Sequence, residues 1–353
     1  MDNNIYVRYG SDGKSITKEL LSIMKIEELI PSGSLIAIKP NLVVAGPSSD
    51  GATTDPAIVR GIIEYLKNKG FNNIEIIESS WLGTDTAHAF QVCGYNEISK
   101  EYNIPLYDLK KDSTGEITVK DLKLKICNRA LKADFLINVP VLKSHCQTSM
   151  TCALKNLKGC IPDSEKRRYH TLGIHKPVAF LNKILKSHLI IVDGIYGDLT
   201  FEEGGTPVQM NRIIGGFNPL NIDLYCAELI GYKNIEYLKI AGELNIGDGK
   251  FNIIETNRAC EKDIKIEKNK IRNLSGYIID REACSACYST LVHALHRMGN
   301  KIPDEKFYIG QGFKGKSEKG AGIGDCTSKF ARYVKGCPPA AGEIIKYFGI
   351  RQL

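Results

Sequence analysis

Three observations predict an α/β protein with a doubly wound, mostly parallel sheet and a smaller C-terminal module. Short apolar runs recur between helical-period segments over residues 35–193. Those runs are apolar on both faces, the pattern of strands buried in a parallel sheet. Residues 276–353 read differently, being glycine-rich and carrying Cys284, Cys287, Cys326 and Cys337.

The elements follow in order. Leu35–Asn41 is an apolar run that ends in polar residues. Residues 56–69 have helical spacing, with Ile58, Val59, Ile62, Ile63 and Leu66 on one face. Asp55 can cap that helix, Pro56 suits its first position and Gly70 stops it. Asn73–Ser80 is the next strand, Phe135–Leu142 a third and Leu189–Asp193 a fourth. Residues 115–127 alternate polar and apolar, which predicts an antiparallel hairpin inserted on this plan. Residues 252–273 are polar and charged and read as an irregular connection. A strand over Gly276–Asp280 should lead into the first cysteine pair, followed by helices over 288–298 and 340–347. The division expected is 1–250 for the α/β part, 251–275 for the connection and 276–353 for the module. Only this last part is too small and glycine-rich to rest on an apolar core alone.

Hydrophobic residues at 43% and charged residues at 25% fit a soluble globular chain with a real core. No apolar run approaches the roughly 20 residues that span a bilayer. The opening MDNNIYVRYG has neither a basic nor an apolar leader region, so a cytoplasmic protein is expected. Eleven cysteines in such a chain argue against a disulfide framework and for metal or redox chemistry. Residues 297–353 hold 11 Lys and Arg against 5 Asp and Glu. That basic segment suits an anionic cluster and an acidic electron-transfer partner. No recognition-helix or RNA-binding signature accompanies it, so nucleic acid is not expected. Nothing in the chain points to a membrane, and homo-oligomerisation stays open.

Cys284-Ser-Ala-Cys287 brings two thiolates to one centre from a single turn. Cys337, followed by Pro338, has the form of a closing ligand of an iron–sulfur cluster. Glycines between them let backbone N–H groups approach cluster sulfur. A 4Fe–4S cluster on Cys284, Cys287, Cys326 and Cys337 is the expectation. Structural zinc, which more often shows two Cys-x-x-Cys pairs, and plain reduced thiols are the alternatives.

A second constellation lies at the strand ends, where open α/β sheets bind ligands. The first strand ends in Lys39 and Asn41, the second in Glu78 and the third near Lys143 and His145, with Asn138 just before; the fourth ends in Asp193. Lys155 and Asn156 follow in a segment that threonines can cap. Lysines and helix N-termini favour anions, and Glu78 or His145 can handle protons. For each of these residues the competing reading is an ordinary surface or core role. Cys146, Cys152 and Cys160 crowd the same segment, as buried small side chains or as a second metal site. No dinucleotide fingerprint follows the first strand. The literal phosphate-loop match at residues 310–317, GQGFKGKS, sits in a cysteine-flanked loop and is not read as one.

The segments IKPNLVVAG (38–46), TTDPAIVRGIIEYLKNKG (53–70), IIESSWLG (76–83), ADFLINVPVLKSH (133–145), TCALKNLKGCIP (151–162) and IIVDGI (190–195) resemble the iron–sulfur family catalogued as domain of unknown function 362. The resemblance covers about residues 35–230. It implies an iron–sulfur protein with a pocket and supplies no substrate. Family members often carry a ferredoxin-type module, whereas here the four cysteines are spread over residues 284–337. The family's glycine-rich acidic stretch looks similar to residues 202–207, and its Asp after an Asn-Pro turn to Asp223. Together these readings lead to a redox enzyme or redox accessory protein acting on a small anionic ligand. A non-redox metabolite-binding or acid–base enzyme with a structural cluster, and a simple electron-transfer module, are the alternatives.

Overall fold

The computed structural model describes residues 3–199, 204, 206–258 and 274–349. The chain begins with β1 (Asn4–Tyr9), α1 (Gly13–Met24), β2 (Ile36–Pro40), α2 (Pro56–Asn68) and β3 (Ile74–Glu78). Next come α3 (Thr86–Val92), α4 (Tyr95–Tyr102), β4 (Leu106–Asp108) and the hairpin β5 (Thr114–Val119) and β6 (Leu122–Cys127). After α5 (Asn128–Lys132) follow β7 (Phe135–Val139), β8 (Lys143–His145), β9 (Ser149–Thr151), α6 (Ala153–Asn156), α7 (Asp163–Thr171) and α8 (His175–Ile184). Then come β10 (Leu189–Asp198), β11 (Pro207–Gly216), α9 (Pro219–Leu229), α10 (Glu236–Glu243) and β12 (Asn252–Glu255).

The large sheet runs β12-β1-β11-β10-β7-β2-β3-β4. The β1–β11 and β10–β11 pairs are antiparallel, and the other five pairs are parallel. The α/β class and the mostly parallel sheet are therefore as expected, with one antiparallel strand in the middle. Alternate strand residues go to opposite faces, as the two-residue strand period requires. Ile36, Ile38, Ile74, Ile76 and Ile137 pack with Leu20, Ile58, Ile62 and Ile98. Ala37, Ile77, Leu136 and Ile190 pack with Leu154, Leu181, Ile222 and Leu238. The Asp55 carboxylate caps α2 by accepting from the Ala57 N–H at 2.8 Å, and Gly70 leaves the helix at φ 88°.

Two expectations change. Residues 252–255 are not irregular, because they pair in parallel with β1 and form the sheet's edge. Their side chains are all exposed, Ile253 and Ile254 included, so no alternating burial marks the strand. Residues 259–273 of the expected connection, and residues 202, 203 and 205 of the acidic glycine stretch, lie outside the described residues. Asp193 does not end its strand either. β10 continues to Asp198 through an irregularity between Gly194 and Tyr196.

Residues beyond 274 build a second sheet. β13 (Ile278–Asp280), α11 (Ser285–Met298), β14 (Phe307–Ile309), β15 (Ala321–Ile323), β16 (Arg332–Val334) and α12 (Ala341–Gly349) follow in order. The four strands are parallel neighbours in chain order, each of three residues. A core of Leu291, Leu295, Phe307, Ile309, Ile323 and Phe348 lies between sheet and helices. The residues of the phosphate-loop match form a short turn after β14, with no α-helix after it. No helix among the described residues is long and apolar enough to cross a membrane.

Candidate functional site

The parallel strands β2, β3 and β7 present their carboxyl ends along one edge, where backbone groups lose their sheet partners and polar side chains take over. Lys39, the fourth residue of β2, is 1% exposed and reaches Glu78 at the end of β3. Its Nζ donates to Glu78 Oε2 at 2.7 Å, to the Pro40 carbonyl at 2.7 Å and to Asn156 Oδ1 at 3.3 Å. Glu78 Oε2 also accepts from the Leu42 N–H at 3.1 Å, and Oε1 from the Ser79 N–H at 2.7 Å. Both carboxylate oxygens are thus engaged by donors to the charged form, which makes Glu78 a fixed counter-ion.

Asn156 ties the ends of β2 and β7 together. Its Oδ1 accepts from Asn41 Nδ2 at 3.0 Å as well as from Lys39, and its Nδ2 donates to Asn138 Oδ1 at 2.7 Å. The short helix α6 that carries Lys155 and Asn156 begins at Ala153, and Asp223 on α9 holds its open end. Asp223 Oδ1 accepts from the Ala153 N–H at 2.7 Å and Oδ2 from the Leu154 N–H at 3.1 Å. Complete burial pushes the Asp223 carboxyl up to about 7. Asp223→Ala is expected to cost about 1–2 kcal/mol through loss of this cap, read as a lowered urea midpoint with unchanged slope. Gly159 closes the floor: a Cβ there would stand 2.2 Å from Glu78 Oε1 and 2.5 Å from Lys39 Cε, so only glycine fits over the pair.

The resulting crevice encloses about 580 Å³ of space not filled by protein atoms, open solvent at its mouth included. Lys39, Asn41, Glu78, Lys155 and Asn156 line it. So do residues that sequence reasoning missed: Trp81, Lys158, Lys166, His170, Ser285 and Ala286. Lys166 on α7 is buried among oxygen atoms. It donates to the Ser80 carbonyl at 2.6 Å, the Ser79 carbonyl at 3.1 Å, Asp163 Oδ1 at 3.1 Å and Ser79 Oγ. Burial pushes its ammonium down to about 8. It had escaped notice because α7, DSEKRRYHT, reads as a solvated helix, and only packing turns one of its cations inward. Among the described lining residues four are lysines and one is a carboxylate.

Three expected site residues stand elsewhere. Lys143 is fully buried behind Asn41, donating to the Ala52 carbonyl at 2.7 Å and to Asn41 Oδ1 at 3.4 Å. His145 organises the turn from β8 to β9, its Nδ1 accepting from the Gln147 N–H at 3.0 Å and the Thr148 N–H at 3.1 Å. It is 3% exposed and does not line the crevice. Asp193 accepts from the Asp55 N–H at 2.8 Å and the Ile195 N–H at 3.0 Å, and burial raises its carboxyl to about 7. It joins β10 to the start of α2 and also stays out of the crevice. Cys152 and Cys160 are fully buried, both within the apolar core.

The four C-terminal cysteines stand at the start of α11 and in two loops of the second sheet. Cys284 stands at the N-terminal boundary of α11 and Cys287 in its first turn, where the helix dipole favours thiolate. The helix starts earlier than the periodicity predicts, because Ser285 and Ala286 already belong to it. Cys326 lies in the turn after β15 and Cys337 in the loop after β16. Burial raises the Cys284 thiol to about 11, and the neighbouring Cys326 and Cys337 sulfurs push it the same way. Burial also raises Cys287, followed by Cys284, Cys337 and Cys326. Cys287 Sγ packs 3.8 Å from where a Cβ on Gly324 would stand. Among the described residues no three His, Cys, Asp or Glu side chains converge as ligands of a single metal ion.

The cysteine loop and the crevice share a wall. Ser285 and Ala286, the two residues between Cys284 and Cys287, line the crevice. His170 Nε2 accepts from the Ser285 N–H at 3.3 Å, and it lies 3.5 Å from Lys158 Nζ. A Cβ on Gly83, five residues past Glu78, would stand 2.8 Å from Pro338 Cδ, so the Cys337 loop backs onto the strand-end loop.

The family model described as "Domain of unknown function (DUF362)" matches residues 36–228, and the chain belongs to that family. The four C-terminal cysteines lie beyond the matched span. A thylakoid-associated protein of Synechocystis sp. (strain ATCC 27184 / PCC 6803 / Kazusa) is 27% identical over 207 residues, 57% of this chain. The match spans 63% of that relative's length, less than two thirds of it. Two solved structures are similar. One is the lactate racemase apoprotein from Thermoanaerobacterium thermosaccharolyticum, 15% identical, covering 64% of this chain and 56% of that one at a TM-score of 0.43. The other is a protein from Thermotoga maritima, 11% identical, covering 67% and 60% at 0.42.

Proposed function

We propose that this DUF362-family chain is an iron–sulfur protein that binds a small anionic ligand in the strand-end crevice and exchanges single electrons with it. The cluster would be a 4Fe–4S cluster held by Cys284, Cys287, Cys326 and Cys337. The observation that carries the reading is the shared wall, because the residues between two of the cysteines also line the lysine-rich crevice. The cysteines fit such a group. A four-iron cluster offers each thiolate its own iron, so the sulfurs need not converge on one ion as they must for zinc. Gly324 leaves room beside Cys287 Sγ, and the α11 N-terminus favours thiolates. Bound there, the cluster supplies one-electron transfer.

The chain's own residues prepare the ligand site. Lys155, Lys158 and Lys166 supply positive charge, and Lys39 is held in place by Glu78. Burial lowers the local dielectric and strengthens each charge-assisted contact. An acidic electron-transfer protein meeting the basic C-terminal segment would serve as the electron source. The fixed Glu78 favours a second reading, in which the crevice binds its anion without redox chemistry and the cluster is structural. A redox titration with and without saturating sulfate separates the two. Coupling predicts a shifted midpoint, about 59 mV for each tenfold difference in affinity between cluster states. Sulfate binding with an unmoved midpoint would leave only the structural role.

Lys166 gives the crevice a pH dependence. With an ammonium held down to about 8, it is charged below that pH and neutral above it. Sulfate affinity should therefore fall as pH rises through about 8, because one of the crevice's lysine charges is lost. Isothermal calorimetry across pH 6.5–9.5 (about 1.5 units either side, on the scale of ordinary titrations) checks this. In Lys166→Met the step should flatten.

A further inference from the structure

We infer that the crevice takes a ligand whose anionic group is joined to a flat apolar body, and that Trp81 selects that body. This rests on the anionic-ligand reading above and deepens it. The two walls differ in chemistry. One, from the α6–α7 side, presents Lys155, Asn156, Lys158 and Lys166. The other is built from the chain leaving β2 and β3 and presents Leu42, Val43, Trp81 and Leu82. These two exit segments lie side by side, with the Trp81 N–H donating to the Val43 carbonyl at 3.1 Å.

The apolar wall is held in position before any ligand arrives. Lys110 Nζ donates to the Trp81 carbonyl at 2.9 Å and the Thr84 carbonyl at 2.7 Å, while Lys166 holds the carbonyls of Ser79 and Ser80. Asp163 lies between the two ammonium groups, 3.5 Å from Lys110 and 3.1 Å from Lys166. A loop fixed at four carbonyls, those of Ser79, Ser80, Trp81 and Thr84, loses little further entropy on binding. A small inorganic anion would satisfy the cationic wall and leave Trp81 and Val43, the half-buried members of the other wall, against water. A ring attached to the anion covers them, and aromatic pairs add to the area buried. The anion itself is a carboxylate or a phosphate, which the lysines do not distinguish.

Trp81 is the chain's single tryptophan, so its emission reports the wall directly. The cluster-loaded protein is titrated with benzoate, phenyl phosphate, acetate and inorganic phosphate, with affinity by calorimetry and Trp81 emission in parallel. Benzoate should bind about tenfold more tightly than acetate, and phenyl phosphate about tenfold more tightly than phosphate, as 1.4 kcal/mol of ring contact gives. Only the ring-bearing probes should change the emission strongly. Trp81→Leu should bring both ratios near unity with acetate and phosphate binding unchanged, and Trp81→Phe should keep most of the preference. Because both variants retain apolar bulk, they test the flat face without emptying the wall. Equal affinities with and without the ring in the unaltered protein would overturn the inference and leave the anion site standing. Equal weakening of all four probes by Trp81→Leu would overturn the role of Trp81. No binding by any probe would overturn both the inference and the anionic-ligand reading.

Discussion

Cys287→Ser, purified without oxygen, is expected to fall from about four iron per chain to a small fraction of that. The same loss is expected on replacing Cys284, Cys326 or Cys337. Cys287 should show the largest effect, because its backbone is fixed inside the first turn of α11. The consequence extends to folding. β13, β14, β15 and β16 have three residues each, below the usual strand length of about 5–6. A sheet so small gains much of its stability from whatever joins its loops, and metal-binding free energy becomes folding free energy. Limited proteolysis of cluster-free protein should therefore cut within residues 276–349 first and spare residues 36–228. Stoichiometric zinc without iron in anaerobic protein would sink the cluster, and equal protease resistance with and without iron would sink its role as a staple.

Lys39→Ala should destabilise the protein by about 3–5 kcal/mol, because it leaves the buried Glu78 carboxylate without its counter-ion. From the sequence alone Lys39 reads as a ligand-facing cation whose loss would spare the fold. Its geometry gives a different result: Lys39 and Glu78 have side chains 1% and 3% exposed and meet at 2.7 Å. Removing both charges by Lys39→Met with Glu78→Gln should recover most of that loss, since breaking a buried pair costs far more than replacing it. Chemical denaturation of the two single variants and the double variant measures the coupling. Additive losses would mean that the pair is not coupled. Anion binding should remain weak in the double variant although its stability returns, which separates the pair's structural part from its part in the crevice.

Much of the fold was legible because its signals are local. The runs at 36–40, 74–78 and 135–139 are apolar on both faces, which happens where helices cover both sides of a sheet. Asp55, Pro56 and Gly70 bound α2 by backbone chemistry that needs no distant partner. The alternation across 115–127 fits a hairpin, and its register follows it residue by residue. What was missed lacks such signals. β4 is three residues long and β12 is wholly exposed, so neither leaves a periodic trace. β11 folds back on its chain neighbour β10, but its place beside β1 depends on pairing between strands at opposite ends of the α/β part.

The candidate site divides in the same way. By itself the sequence determined that Lys39, Asn41 and Glu78 would gather at one edge, because chain direction and strand position dictate where a parallel strand ends. It also singled out the four cysteines by their spacing. Only the tertiary structure decided which cations face the crevice. Lys143, His145 and Asp193 looked equivalent to Lys39 along the chain, yet they serve the Asn41 support, a turn and the α2 entry. Lys166 and Trp81, unmarked in sequence, turn inward because α7 and the exit of β3 pack against each other. Side-chain direction at such positions is set by contacts between segments more than 80 residues apart, as between Lys166 and Ser80. A window of sequence samples only neighbours within a turn or a strand, so it cannot carry that information.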